Sequence, residues 1–336
     1  MSEQKAIHLA LQGGGSHGAF TWGVLERILQ DERIAIEAIS GTSAGAMNAV
    51  VAADGLLRGG RGEAIRSLDR LWTSFAAAND AMSFMRQPMQ PVFGFLGIQP
   101  PADVFRDFFA LWMSPYGTNP LGINPLRSMI AASVDFDRLR AARDIKLFVT
   151  ATNVRTGRPR IFSNEELTAD AVMASACLPS VFQAVEIDGE SYWDGGYVGN
   201  PLIMPVVQHL DTDDHVIVQI FPIDRPDVPR TARDIEDRTN EITFNASIVR
   251  EIDTLNMIQE SARAAGCLNH PFARTRLHRI DADDVIRGLA ADTKFLADSS
   301  VLQRLRQVGR EAAEHWIERH YDDLGMRASL DLRLAA

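Results

Sequence analysis

Residues 41–45 read G-T-S-A-G, which has the residue types of a nucleophile elbow. In a G-x-S-x-G turn the chain reverses too tightly for Cβ atoms at the flanking positions, so the central hydroxyl is exposed above the start of a helix. An apolar run over 34–39 precedes the turn and a run of small residues follows it, which predicts a strand, a sharp turn and a helix. Ser43 is therefore a candidate nucleophile, in a turn shaped by Gly41 and Gly45.

A second turn is rich in glycine. Residues 13–18 read G-G-G-S-H-G and separate a predicted strand over 5–11 from a helical pattern that starts near residue 19. Such a loop leaves backbone N–H groups unpaired at a helix N-terminus, where the helix dipole favours negative charge. The loop suits an anion or a developing oxyanion, and its candidate donors are Gly13, Gly14, Gly15 and Gly18.

The two turns follow two consecutive predicted strands. In a parallel sheet both turns emerge at the carboxyl edge, so the loop amides and the Ser43 hydroxyl are expected on the same side. Acyl transfer needs this combination, because attack on an ester carbonyl places negative charge on its oxygen. Preorganised N–H donors lower that barrier by about 3–4 kcal/mol.

The glycine loop also fits a dinucleotide-binding fingerprint. Gly13-x-Gly15-x-x-Gly18 matches the G-x-G-x-x-G pattern, and Glu37 would be the candidate ribose ligand. A phosphate-binding P-loop is excluded, because it needs Gly-Lys-Ser/Thr where this chain has Gly-Ala-Phe. A nucleotide-binding oxidoreductase therefore stays open as an alternative.

A serine hydroxyl needs a base, and the sequence offers two kinds. Asp194 is followed by Gly195 and Gly196, a tight turn that would hold a carboxylate at a strand end or merely cap the backbone. Chain order also permits a triad with a later histidine. Only two strands precede Ser43, however, whereas the α/β-hydrolase fold has several. The histidines in question are His209, His215, His270, His278, His315 and His320.

Four motifs in this order carry a family resemblance: residues 13–18, 41–45, 174–179 (A-S-A-C-L-P) and 194–196 (D-G-G). Together they make the chain, over roughly residues 5–225, resemble the patatin-like phospholipase family. The resemblance implies a three-layer α/β/α sandwich with a mostly parallel sheet and hydrolysis of lipid acyl esters. It also implies a Ser–Asp dyad of Ser43 and Asp194, an oxyanion hole at the glycine loop, and no metal or cofactor.

One position departs from the family pattern. The family commonly has Arg or Lys in the glycine loop, where this chain has His17. A neutral imidazole weakens the positive field there. The departure puts in question a preference for anionic phospholipid head groups rather than the hydrolysis itself.

Composition limits the partners and the compartment. The chain has 336 residues, 46% hydrophobic and 23% charged, as expected of a globular protein, and its net charge of -10 argues against nucleic acid. Two cysteines, Cys177 and Cys267, exclude a disulfide framework, and no signal peptide or membrane span is apparent. We expect a cytoplasmic protein that acts on a lipid or acyl ester, with peripheral membrane contact.

The chain divides into three predicted parts. Residues 1–225 form the predicted catalytic domain, with a cap inserted over 54–143, and residues 226–336 form a helical extension packed on the core. The region 82–112 is rich in aromatic residues and methionine, which would line an acyl tunnel, touch a membrane or simply fill a core. A lipid-binding module without catalysis is the remaining alternative.

Overall fold

The structure is a computed structural model that describes residues 4–86, 115–119, 122, 124–282 and 298–330. An eight-stranded sheet runs through it; the strands are β1 (Lys5–Leu11), β2 (Ile34–Thr42), β3 (Lys146–Asn153), β4 (Pro159–Ser163), β5 (Val185–Ile187), β6 (Glu190–Asp194), β7 (Asp214–Val218) and β8 (Arg276–Ile280). The order is β5-β6-β3-β2-β1-β7-β8, with β4 also paired to β3. Strands β3, β2, β1, β7 and β8 are parallel neighbours, whereas the pairs β3–β4, β3–β6 and β5–β6 are antiparallel.

Helices connect and cover the strands. Those of the described residues are α1 (Gly18–Gln30), α2 (Ala44–Arg86), α3 (Pro115–Thr118), α4 (Pro125–Ser133), α5 (Phe136–Ala141), α6 (Ala169–Ser175), α7 (Met204–Val207), α8 (Ala232–Ala265), α9 (Pro271–Arg274) and α10 (Ser299–His320). Helix α2 has a kink at Gly59 and Gly60, where the backbone leaves helical geometry. None of these helices combines the length and the apolar character needed to cross a bilayer.

The sheet is buried on both faces. Side chains alternate along a strand, so Leu9 of β1 joins the core formed with α1, α2 and α10, whereas its neighbour Ala10 packs with α7 and α8. A parallel sheet needs this double cover because both of its faces are apolar. The expected three-layer α/β/α fold with a mostly parallel sheet is therefore confirmed.

The C-terminal region contributes more than helices. Helix α10 packs on one face of the sheet and α8 on the other, as expected of an extension packed on the core. Residues 276–280, however, form β8, which pairs in parallel with β7 from Asp214↔Arg276 to Val218↔Ile280. The region 226–336 thus completes the sheet as well as covering it, and the division of the chain at residue 225 stays a prediction.

Both flanks of the predicted cap, 54–143, pack in the core. On the N-terminal flank Leu68 is fully buried and Trp72 is 5% exposed. On the other flank Arg138 forms an ion pair of 2.6 Å with buried Asp54 of α2. These flanks contribute buried apolar side chains and a partly buried ion pair to the core, and the cap inserted over 54–143 stays a prediction. Residues 87–114, and the side chains of 78–86, lie outside the described residues, and with them the aromatic part of the cap prediction.

Two glycines let α1 and α10 approach each other closely. A Cβ atom at Gly309 would overlap the carbonyl of Phe20, and one at Gly23 would overlap the carbonyl of Arg306. Arg306 crosses this contact, with its guanidinium 4.2 Å from the centre of the Trp22 ring. The C-terminal helix is thereby fixed against the helix that follows the glycine loop.

We expect Gly309→Ala to destabilise the fold by about 1–3 kcal/mol, because the added methyl group overpacks the contact between the helices. The measurement is denaturant unfolding. Gly62→Ala in α2 is the matched control, since its Cβ would meet only Arg66, at 3.5 Å. That control should be neutral or slightly stabilising through helix propensity. Equal unfolding midpoints for the two variants would contradict the close approach.

Candidate active site

Ser43 lies at the sharp turn between β2 and α2, as the sequence predicts. Its φ of 54° is in the left-handed region, which costs a residue other than glycine about 1–3 kcal/mol. A Cβ atom at Gly41 would lie 2.5 Å from the Gly45 carbonyl carbon, so the turn is too tight for larger residues at these positions. The strained elbow leaves the serine partly exposed while its flanking residues are buried.

The carboxylate of Asp194 meets this serine. Asp194 ends β6, whose antiparallel pairing with β3 places it opposite Ala151. The carboxylate accepts a hydrogen bond of 2.7 Å from the Gly196 N–H, and the nearby Ser43 hydroxyl lowers the pKa of Asp194 by stabilising the charged form. Gly195 and Gly196 form the turn after the strand, as expected. The structure therefore brings together the two residues that the sequence singled out as nucleophile and base.

Burial changes the basicity of Asp194. Its side chain is almost completely excluded from solvent, and burial raises the pKa of Asp194 to about 6. The hydrogen bonds from Gly196 and Ser43 stabilise the carboxylate and oppose the rise in pKa. The group is thus a stronger base than an exposed aspartate, yet it is largely ionised at neutral pH.

The side chain of Ser175 binds the backbone of the elbow. It is fully buried at the end of α6, and its Oγ accepts a hydrogen bond of 2.9 Å from the N–H of Ser43. Two residues later, the carbonyl of Cys177 accepts a hydrogen bond of 2.8 Å from the Asp194 N–H. The segment 174–179 therefore contacts both residues. The sequence motif at 174–179 did not by itself predict this role for Ser175. The position of Ser175 within the motif was the only signal in the sequence that pointed to a role.

The glycine loop differs from the expectation at two positions. The N–H of Gly13 donates to Oδ1 of Asn200 at 2.6 Å, and the N–H of Gly18 donates to the carbonyls of the preceding turn. Neither N–H is available to a ligand, because Gly13 is still next to the sheet and Gly18 already begins α1. Within the described residues, no acceptor is found for the N–H groups of Gly14 and Gly15. These two are the candidate oxyanion donors.

Glu37 does not lie where a dinucleotide-binding enzyme needs its acidic residue. Its carboxylate accepts the N–H groups of Asp211 and Thr212 and pairs with Lys146 at 3.0 Å, beside the first residue of β3. This is the amino edge of the sheet, whereas the glycine loop follows β1 at the carboxyl edge. A single nucleotide cannot bridge the loop and Glu37 as the fingerprint requires.

Several of the candidate histidines have partners elsewhere. His215 bonds His8 at 3.0 Å in the sheet interior, His278 bonds Asp214 at 3.1 Å, and His320 bonds Asp323 at 2.8 Å. These three do not form the triad that chain order permitted. His17 of the glycine loop is itself buried, at 2% exposure. Among the described residues, no group of three or more His, Cys, Asp or Glu could hold a metal ion.

The buried carboxylate should cost stability at neutral pH. Because the pKa rises from 3.8 to about 6 on folding, the folded state binds more protons between these values, and stability falls as pH rises through about 6. We expect Asp194→Asn to be more stable than the wild type at pH 7.5, by up to about 3 kcal/mol. The gain should disappear near pH 4.

Unfolding free energies across this pH range provide the measurement for Asp194→Asn. Asp227→Asn, at an exposed position, is the control for the loss of one negative charge. A variant at Asp194 that is less stable than the wild type at every pH would contradict the cost of burial.

Solved structures provide two comparisons. VipD from Legionella pneumophila has a TM-score of 0.46 and 15% sequence identity, over 95% of this chain and 67% of VipD. The type III effector protein ExoU has a TM-score of 0.37 and 16% identity, over 95% of this chain and 54% of ExoU, so the chain spans about half of its length. A complex of ExoU with SpcU comes from Pseudomonas aeruginosa.

Sequence comparison identifies the family. No curated protein sequence matches the chain. A family model described as Patatin-like phospholipase matches residues 9–207, which is more than half of the chain. The match includes the glycine loop, the elbow, the segment around Ser175 and the Asp194 turn. The chain therefore belongs to the patatin-like phospholipase family and is an enzyme of the lipid acyl hydrolase type.

Proposed function

We propose that the enzyme cleaves carboxylic ester bonds of lipids through an acyl-enzyme, with Ser43 as nucleophile and Asp194 as base. The observation that carries this proposal is the proximity of the Ser43 hydroxyl, at the strained elbow, to the buried Asp194 carboxylate, whose pKa is raised to about 6. A general base works best when its pKa is near the working pH and it lies within hydrogen-bond reach of the proton. These requirements support Asp194 as the proposed base, with no histidine needed.

The reaction begins when the Ser43 oxygen attacks the ester carbonyl. Asp194 takes the hydroxyl proton while the carbonyl π electrons move to the oxygen, which becomes an oxyanion near the N–H groups of Gly14 and Gly15. Collapse of this intermediate breaks the bond to the alcohol, which leaves with the proton from Asp194. The acyl group then remains on Ser43.

Deacylation repeats the same steps with water. Asp194 takes a proton from water as the water oxygen attacks the acyl-enzyme, and the second oxyanion uses the same donors. When it collapses, Ser43 leaves and regains the proton from Asp194. One carboxylate thus acts as base and acid in each half of the reaction, and no step requires a metal or an organic cofactor.

The proposed mechanism applies to several classes of ester substrate. Phospholipids, lysophospholipids, acylglycerols and polyesters all present the ester that this site would cleave. Because long-chain lipids are held in membranes or micelles, we also propose peripheral contact with a lipid surface. Activity compared across these substrates and short p-nitrophenyl esters tests the breadth of the proposal.

Removing either member of the dyad should stop turnover. We expect Ser43→Ala to abolish both ester hydrolysis and labelling by a fluorophosphonate, and Asp194→Asn to lower kcat by about 10²–10⁴-fold, the usual range for a general base. Wild-type kcat should fall as pH drops through about 6, because the Asp194 carboxylate becomes protonated. Steady-state rates on a p-nitrophenyl ester provide the measurement.

Two outcomes would count against the dyad. Hydrolysis that persists in Ser43→Ala would remove the proposed nucleophile, and lipid binding without any turnover would favour the non-catalytic module. Loss of activity on replacing one histidine, with Asp194→Asn still active, would instead restore a triad.

Ser175→Ala should lower kcat by about tenfold, because the Ser43 N–H would lose its acceptor and a buried unpaired N–H costs about 1–3 kcal/mol. Ser133→Ala is the matched control. It removes a helical hydroxyl that donates to the carbonyl of Met129 at 2.7 Å. Both variants are to be compared by kcat and by melting temperature. A normal kcat in folded Ser175→Ala would show that the elbow holds its shape without this bond.

A further inference from the structure

The side chain of Asn200 binds both peptide groups that flank Gly13 in the glycine loop. It lies six residues after Asp194, it is fully buried, and its side chain makes two bonds to Gly13. Oδ1 accepts the Gly13 N–H at 2.6 Å, and Nδ2 donates to the Gly13 carbonyl at 3.3 Å. An N–H can bind only an acceptor and a carbonyl only a donor, so the orientation of this amide is determined by its partners.

The bond to the Gly13 carbonyl also determines where the next N–H points. That carbonyl and the N–H of Gly14 belong to one planar trans peptide group, in which they point in opposite directions. While Asn200 holds the carbonyl, the Gly14 N–H must point away from Asn200. If this peptide rotated by half a turn, a carbonyl oxygen would replace the N–H and would repel an oxyanion.

A glycine loop needs such a restraint. Glycine has access to more of φ/ψ space than any other residue, so three glycines in succession do not define their own peptide orientations. The bond to Asn200 is buried and is therefore not exchanged for water. Without it, the Gly13 carbonyl would lose the donor that holds this peptide in its orientation.

Asn200 is itself fixed by contacts to several elements. The hydroxyl of Thr42, directly before the nucleophile, donates to the carbonyl of Gly199 at 2.9 Å. The N–H of Asn200 donates to Ser247 of α8 at 3.1 Å, and its carbonyl accepts from Gln12 at 3.1 Å. These contacts connect Asn200, and through it the glycine loop, to the elbow and to the end of the strand that precedes the loop.

We propose that Asn200 is a positioning residue that orients the Gly14 N–H toward the oxyanion, an inference that rests on the proposed function. It does not touch the reacting atoms. Its action is to keep the Gly13–Gly14 peptide in the one orientation that offers a donor, and to tie that orientation to the segment that carries Asp194. The competing explanation is a purely structural role, in which Asn200 only supplies hydrogen-bond partners to the buried N–H and carbonyl of Gly13.

The first test is Asn200→Ala, assayed for kcat and KM on a p-nitrophenyl ester and for the rate of phosphonylation by a fluorophosphonate. We expect kcat and the phosphonylation rate to fall by about 10²-fold, the loss typical of a displaced catalytic group, with KM nearly unchanged because ground-state contacts remain. Folding is checked by circular dichroism and melting temperature.

Asn164→Ala is the matched control for this test. Asn164 is also a buried amide with three bonds to the backbone, to Leu147 N–H at 2.7 Å and to the carbonyls of Leu139 and Ile145, both at 3.1 Å. It lies in a turn after β4, away from the glycine loop. This variant should lose stability but keep its kcat. If both variants lost kcat only in proportion to their stability, the positioning role would be overturned.

Asn200→Asp supplies a second measurement that is also available if the alanine variant does not fold. A neutral carboxyl group can accept from the Gly13 N–H and donate to the Gly13 carbonyl, whereas a carboxylate can only accept and repels that carbonyl. We expect the ratio of its kcat to the wild-type kcat to rise as pH falls. The ratio removes the effect of Asp194 protonation, which is common to both proteins.

The outcomes separate the inference from the function beneath it. Hydrolysis that persists in Ser43→Ala would overturn the proposed function, and the inference with it. Hydrolysis that depends on Ser43, together with a wild-type kcat in folded Asn200→Ala or a ratio for Asn200→Asp that does not change with pH, would overturn the inference alone.

Discussion

The placement of the Ser43 hydroxyl beside the buried Asp194 carboxylate imposes the main constraint on this structure. A carboxylate becomes a useful base only if water is kept from it, yet an ionised group without water needs other partners. The fold meets both demands with a strand end that is 1% exposed and a turn whose Gly196 N–H supplies one bond at 2.7 Å. The remaining cost appears as the raised pKa of Asp194.

The same constraint explains why the sheet changes direction at one edge. The glycine loop and the elbow follow parallel strands, which end at a common edge. Asp194 comes instead from β6, which runs antiparallel to β3 and back from the end of that strand. Its last residue, Asp194, lies opposite Ala151, and Thr42 of the elbow lies opposite the neighbouring Thr150. Helix α6 packs on β3 and β6, and α8 contacts the turn at 195–197 that follows Asp194.

The features that could be predicted are those encoded in short segments. The elbow, the glycine loop and the Asp-Gly-Gly turn each require small residues at fixed spacings, and their order together identified the family and the fold. The pair Gly59 and Gly60 is a signal of the same kind, because α2 has its kink there. Such signals are local, because the backbone conformation itself demands the residue type.

Partners distant in sequence could not be predicted in this way. Nothing near Gly13 indicates that its N–H is bound by Asn200, which lies 187 residues away. The same holds for β8, whose pairing with β7 depends on the path of the chain through α8. Glu37 illustrates the opposite problem. Its spacing from the glycine loop suggested a ribose ligand, but Glu37 lies at the amino edge of the sheet and the loop lies at the carboxyl edge. Local patterns do not report which edge a side chain reaches.

In the proposed reaction a single negative charge moves a short distance and is never created. It starts on Asp194, where Gly196 supports it, and passes to the oxyanion as the serine proton moves the other way. The enzyme therefore needs two sets of N–H donors at a fixed separation rather than a histidine to carry positive charge. One segment carries Asp194 and its Gly196 donor and, six residues later, Asn200, which binds the Gly13 backbone. In the proposed reaction, this short segment would link both ends of the charge movement, so that two residues do the work of a triad.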